Sequence, residues 1–157
     1  MGNTEQAKKI YQQFKDHLTQ HDFHFDAHDD ELIISMTVHG EDLPQPTLIR
    51  VLADRDMVQV LSPIPSRIPE DKRIDGAIAV SIANYGMING CFDYDMNDGE
   101  VRFRVAQSYR GIEFSDALVG YLLQVTFFTT DKYNDRFFML GKGLMSIEQF
   151  IQKEQEG

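Results

Sequence analysis

The stretch Cys91-Phe92-Asp93-Tyr94-Asp95-Met96-Asn97-Asp98-Gly99-Glu100-Val101-Arg102-Phe103-Arg104-Val105 decides the fold. Apolar and charged residues alternate on both sides of Asp98-Gly99, a dipeptide suited to a two-residue hairpin turn. With that turn, Phe92 stands opposite Val105, Tyr94 opposite Phe103 and Met96 opposite Val101 on one face. Asp95 then faces Arg102 and Asp93 faces Arg104 on the other, each opposite-charge pair contributing roughly 0.2–1 kcal/mol. Read as a calcium loop, the segment fails: glycine comes one place too late, and Arg104 stands where a bidentate Glu is required. The hairpin register also cancels most of the charge that Arg102 and Arg104, with Arg110 nearby, could offer to phosphate or nucleic acid.

Upstream, Thr4 to Gln20 reads as an amphipathic helix, capped by Asn3 with Gln6 completing the box. Ala7, Ile10, Tyr11, Phe14 and Leu18 form its apolar stripe. From Phe23 to Val38 the period becomes two. An Asp29-Asp30 turn pairs Phe25 with Ile34, Phe23 with Met36 and Ala27 with Leu32, so that the apolar residues share a face. A loop over Gly40–Pro46 leads to strands Thr47–Ala53 and Met57–Leu61, with a tight turn near Arg55-Asp56. The proline-rich run Pro63–Pro69 cannot continue a ladder and reads as an extended link.

The second helix starts at Pro69 and places Ile74, Ala77, Ile78, Ser81, Ile82 and Tyr85 on one side. Ala79, Val80 and Ala83 widen that surface, which makes this the most buried helix by expectation, with Gly86 closing it. Strands Met87–Met96 and Glu100–Ser108 form the decisive hairpin. A third helix is capped by Ser115 and runs at least to Thr129, towards Phe138. Gly141-Lys142-Gly143 breaks the chain, and Ser146-x-x-Gln149 caps a last helix bearing Ile147, Phe150 and Ile151. The expectation is a single α+β domain over residues 1–157, an antiparallel sheet with helices packed on one face.

The 157 residues suffice for a core without disulfides or metal. A net charge of −10 disfavours nucleic acid and anionic membranes as partners. No run approaches the roughly 18 apolar residues of a membrane span, and the N-terminus lacks a secretory or myristoylation pattern. One cysteine, Cys91, forms no internal bridge. The expected location is the cytoplasm.

Chemistry-bearing patterns are few. His24, Asp26 and His28 share a strand face and could hold zinc, although no fourth ligand can be named. Exposed polar-face histidines explain them more simply. Cys91 lies inside a strand with nothing to lower its thiol pKa, so it reads as a small hydrophobe. There is no Gly-rich phosphate loop, nucleophile elbow or zinc-protease motif. No cofactor and no catalytic residue are expected. Phe127-Phe128 and Phe137-Phe138-Met139-Leu140 cannot all face one helical stripe, so Phe127, Phe128 and Phe138 are candidates for contact with a partner or a dimer mate. Packing beneath the last helix is the equal alternative.

The element order, with Ser62-Pro63-Ile64, Ile68-Pro69-Glu70, Ala83-Asn84-Tyr85, Gly90–Asp95 and Asp98–Arg104, resembles the YbjN-type family of bacterial sensory transduction regulators. That family's fold is similar to the type III secretion chaperones. The likeness covers the chain from about Leu32 onward, and its residues are fold-pattern residues. It implies a non-enzymatic, protein-binding adaptor or chaperone-like role and a homodimer. The alternative is a metal- or small-ligand-binding regulator using His24, Asp26 and His28. A third reading, an enzyme using Cys91 or a carboxylate pair, requires a deep pocket lined by titratable groups.

Overall fold

The first helix, α1 (Thr4–Gln20), buries Ala7, Ile10, Tyr11, Phe14 and Leu18, the stripe its period marks. The structure, a computed structural model, describes residues 4–156, so the expected Asn3 cap lies outside the described residues. Among the described residues six strands follow: β1 (Asp26–His28), β2 (Ile33–His39), β3 (Pro44–Leu52), β4 (Met57–Pro63), β5 (Cys91–Tyr94) and β6 (Val101–Ser108). They form one antiparallel sheet in the order β1-β2-β3-β4-β6-β5. Helix α2 (Arg73–Tyr85) lies between β4 and β5, and α3 (Asp116–Gly141) and α4 (Ile147–Glu156) close the chain. The fold is α+β.

Both hairpins differ from expectation by two residues. Ala27, not Phe25, faces Ile34, and the connection is the four-residue Asp29–Leu32. The loop is tied to α1, because Tyr11 Oη donates to Asp29 Oδ1 at 2.8 Å and Lys15 Nζ reaches the same oxygen at 3.1 Å. Consequently β1 is short, and Phe23 and Phe25 precede it as packing residues at the edge of the core. In the second hairpin Phe92 faces Phe103 and Asp93 faces Arg102. Asp95 leaves the strand and accepts the Asn97 N–H, while Asp98 accepts that of Glu100. These aspartates hold a wider turn that releases Met96 to solvent. A slip of two preserves side-chain parity, so every strand residue still faces its expected side.

β3 begins three residues earlier than expected, at Pro44. Pro44 and Pro46 pair with His39 and Thr37 of β2, before the β4 ladder starts at Leu48. Ser62 Oγ donates to the Pro46 carbonyl at 2.8 Å. The preceding loop is fastened to α3, where Asp131 Oδ1 accepts from Glu41 N and Gln45 Nε2, and Asn134 Nδ2 donates to Leu43 O. Two prolines are thereby accommodated at the start of a strand.

The sharpest correction concerns α2. Its buried residues are Gly76, Ala79, Val80 and Ala83, whereas Ile74 is 71%, Ile78 41% and Tyr85 95% exposed. A side chain at Gly76 would overlap the Tyr94 hydroxyl, which donates to the Arg73 carbonyl at 2.8 Å. Close approach to β5 thus requires the small residues to face inward. The Asn84 amide completes the contact, accepting from Phe92 N at 2.7 Å and donating to Phe92 O at 3.0 Å.

The third helix continues for 26 residues, well past Thr129, from a Ser115 cap whose Oγ accepts the Leu118 N–H. Ser146 and Gln149 form the expected reciprocal cap of α4, which buries Phe150. The 63–69 link runs beside β6, with Ile64 N and Ile68 N donating to the carbonyls of Val101 and Gly99.

Gly99 has φ +78°, and an added methyl would overlap the Ile68 carbonyl oxygen. Gly111 has φ +72° with open space around it. Urea unfolding should therefore show Gly99→Ala losing about 2–4 kcal/mol. Gly111→Ala should lose only about 1 kcal/mol, the cost of the left-handed backbone alone. Equal losses would contradict this account of the turn.

Candidate functional site

Because the small residues of α2 pack inward, its large aliphatic residues form an outward stripe of Ile74, Ile78 and Tyr85, one or two turns apart, followed by the fully exposed Ile88. Between α2 and α4 lies an open groove of about 610 Å³, lined by Ile82, Tyr85 and Ile151 and bordered by Glu154. A second depression of about 230 Å³ adjoins it through Gly86 and Glu154 and reaches Phe128. Phe128, 67% exposed, therefore shares this surface.

Glu154 is held in place. Its carboxylate accepts from Tyr133 Oη at 2.5 Å and from Arg136 Nη1 at 3.0 Å. Burial, and then the carboxylate itself, push the Tyr133 hydroxyl well above the usual phenol range, so it remains a donor. The groove consequently has a rigid polar border and an apolar floor.

The other two phenylalanine candidates are placed differently. Phe127 is half-buried with its ring 5.8 Å from that of Phe23. Phe138 is half-buried with Lys142 Nζ 5.7 Å from its ring centre. Adjacent helical positions diverge by about 100°, which is why only one of the Phe127-Phe128 pair meets solvent.

His24 precedes β1, while Asp26 and His28 lie exposed on it. His28 Nε2 is 3.5 Å from Ser35 Oγ. Among the described residues, no group of three or more His, Cys, Asp or Glu side chains stands where it could hold a metal ion. His17 and His21 stack at 4.2 Å, and burial lowers the His17 pKa.

Cys91 is partly exposed on the edge strand β5, with Arg104 Nη2 3.5 Å from its sulfur. Burial outweighs the nearby guanidinium and raises the thiol pKa, which disfavours the reactive thiolate. Beside it, the expected pair of ion pairs is replaced by one shared carboxylate. Asp93 accepts from Arg102 Nε at 3.1 Å and from Arg104 Nε and Nη2 at 2.9 and 3.0 Å. Asp95 has left the strand for the turn, so Arg102 lacks the carboxylate of its own that the sequence register implies. Arg110 lies apart from it, paired with Asp56 at 3.3 Å.

Sequence reading grouped the α2 stripe but turned it inward, because the helix has two apolar faces and its period does not say which packs. Gly76, alone among the inward positions in lacking a side chain, was the available signal.

No protein-family model and no curated protein matches the chain. Among the described residues, no helix is long and apolar enough to cross a membrane.

The hydrogen bond from Arg104, joined by that from Arg102, holds the Asp93 carboxyl below the ordinary carboxylate range. Its ionised form therefore stabilises the native state above the unfolded carboxyl value of about 3.9, and this contribution is lost as pH falls through the lower folded value. Asp93→Asn should lower the Tm at neutral pH, and the gap from wild type should narrow as pH falls below the unfolded carboxyl value of about 3.9. Thermal melts across that range test this; a gap independent of pH would remove the ion-pair explanation.

Proposed function

We propose that this chain is a non-enzymatic, protein-binding adaptor that dimerises through the outward stripe of α2. One observation carries the reading: Ile74, Ile78 and Tyr85 stand exposed on a single helix, beside the apolar groove formed with α4. Water contact along such a stripe is costly, and a second copy would cover it with the same residues in reverse. The acidic exterior, at a net charge of −10, keeps the free protein from associating elsewhere.

The resemblance of Ser62-Pro63-Ile64 and Gly90–Arg104 to YbjN-type regulators supports an adaptor or chaperone-like role in bacterial sensory or stress signalling. A cytoplasmic location fits the single thiol and the acidic charge. The raised pKa of Cys91 disfavours a thiol nucleophile at that position.

Light scattering after size exclusion tests the dimer. Wild type should elute as a dimer at micromolar concentration, and Ile74→Glu/Ile78→Glu as a monomer. Both residues are exposed in the single chain, so the variant should remain folded and lose only the concentration-dependent stability that the dimer adds. A monomeric wild type would defeat the proposed interface.

A further inference from the structure

Three dipeptides in the chain carry the same latent chemistry: Asp75-Gly76, Asn89-Gly90 and Asp98-Gly99. In each, the backbone nitrogen of glycine can attack the side-chain carbonyl carbon of the residue before it. Glycine favours this attack because it has no side chain to obstruct the approach. The nitrogen must also be free of a hydrogen bond and able to swing towards that carbon. The fold separates the three on this requirement.

Gly76 lies within α2, where its N–H belongs to the helical ladder, and it is buried against the Tyr94 hydroxyl. The Gly99 N–H donates to the Asp95 carbonyl at 2.8 Å, and Asp98 is fastened both by the Glu100 N–H at 2.9 Å and by Arg67. Gly90 has neither restraint. It precedes β5, whose ladder begins with Cys91 opposite Arg104, and among the described residues its N–H donates to no acceptor. Asn89 is half-exposed in a bend beside the fully exposed Ile88. Its Nδ2 donates to Tyr121 Oη at 3.3 Å, a long bond at the surface. Position 90 also tolerates no larger residue, because its φ is +84° and an added methyl would overlap the Phe103 ring. Asn84, Asn97 and Asn134 precede Tyr85, Asp98 and Asp135, whose side chains hinder the same attack.

We propose that Asn89 is a site of spontaneous deamidation. Gly90 N gives its proton to solvent and bonds to Asn89 Cγ, the Cγ–Nδ2 bond breaks, and that nitrogen leaves as ammonia. Water then opens the cyclic imide at either carbonyl, giving aspartate or isoaspartate with no change of oxidation state. Either product adds a negative charge beside Ile88. The aspartate can accept from the Tyr121 hydroxyl, which in the native form is the acceptor. Isoaspartate also lengthens the backbone by one carbon between α2 and β5, next to the clamp of Asn84 on Phe92. Neither Ile74 nor Ile78 takes part, so the modification stands or falls apart from the dimer.

Peptide mapping by mass spectrometry tests this, following the full chain through incubation in warm, mildly alkaline buffer. Asp75→Asn and Asp98→Asn, made separately, place an asparagine before each of the other two glycines and so match the chemistry. In the folded variants Asn89 should convert at least about tenfold faster than the asparagine at position 75 or 98, since one hydrogen bond on the attacking nitrogen is worth about that factor. In concentrated guanidinium chloride all three positions should convert at similar rates. Asn89→Gln should abolish the mass gain in the peptide that contains position 89. The proposal is overturned if Asn89 stays unmodified in the folded chain while it converts in denaturant. It is equally overturned if position 75 or 98 converts as fast as Asn89 in the folded protein.

Discussion

Along β3, Gln45, Thr47, Ile49 and Val51 turn towards the helices while Pro46, Leu48 and Arg50 turn away. This two-residue alternation is the constraint on which both faces of the molecule depend. The inward set joins α1 and α3 in the core cluster, and the outward set forms a second surface whose chemistry the core does not dictate. A one-residue slip in any strand would exchange the two sets and bury Arg50 or Arg104. Unpaired charge in the core is among the costliest errors a fold can make, so the alternation is strongly enforced.

That enforcement explains what could be read in the sequence. Alternation specified which residues share a face, and Phe92, Phe103, Ile34 and Met36 lie together on the inner side as expected. It did not specify absolute register. Both hairpins moved by two residues because local side chains, Asp29 on Tyr11 and Asp95 on Asn97, hold longer turns than the dipeptides imply. Helix ends marked by Ser115, Ser146 and Gln149 were legible because their hydrogen bonds are local.

The orientation of α2 was not legible, and the candidate surfaces followed from it. A helix with aliphatic residues on two sides can bury either, and the decision rests on a distant partner, Tyr94, whose hydroxyl needs the space at Gly76. Phe128 was among the expected contact residues and does reach the groove, whereas Phe127 and Phe138 turn partly inward. The pairing of the arginines depended on the hairpin shift, because Asp95 is drawn into the turn and Arg102 and Arg104 share Asp93. Surface charge was therefore more sensitive than the fold to a two-residue error.

Asn84 bears on how this protein can assemble. Its side-chain amide occupies both polar groups of Phe92 on the outer rim of β5, as a neighbouring strand would. The opposite rim is formed by β1, only three residues long. Lateral recruitment of another chain by backbone pairing, the route to open-ended fibrils, is thus obstructed at one side and has little length to use at the other. Association is left to side-chain surfaces, which favours closed complexes of definite stoichiometry over indefinite growth.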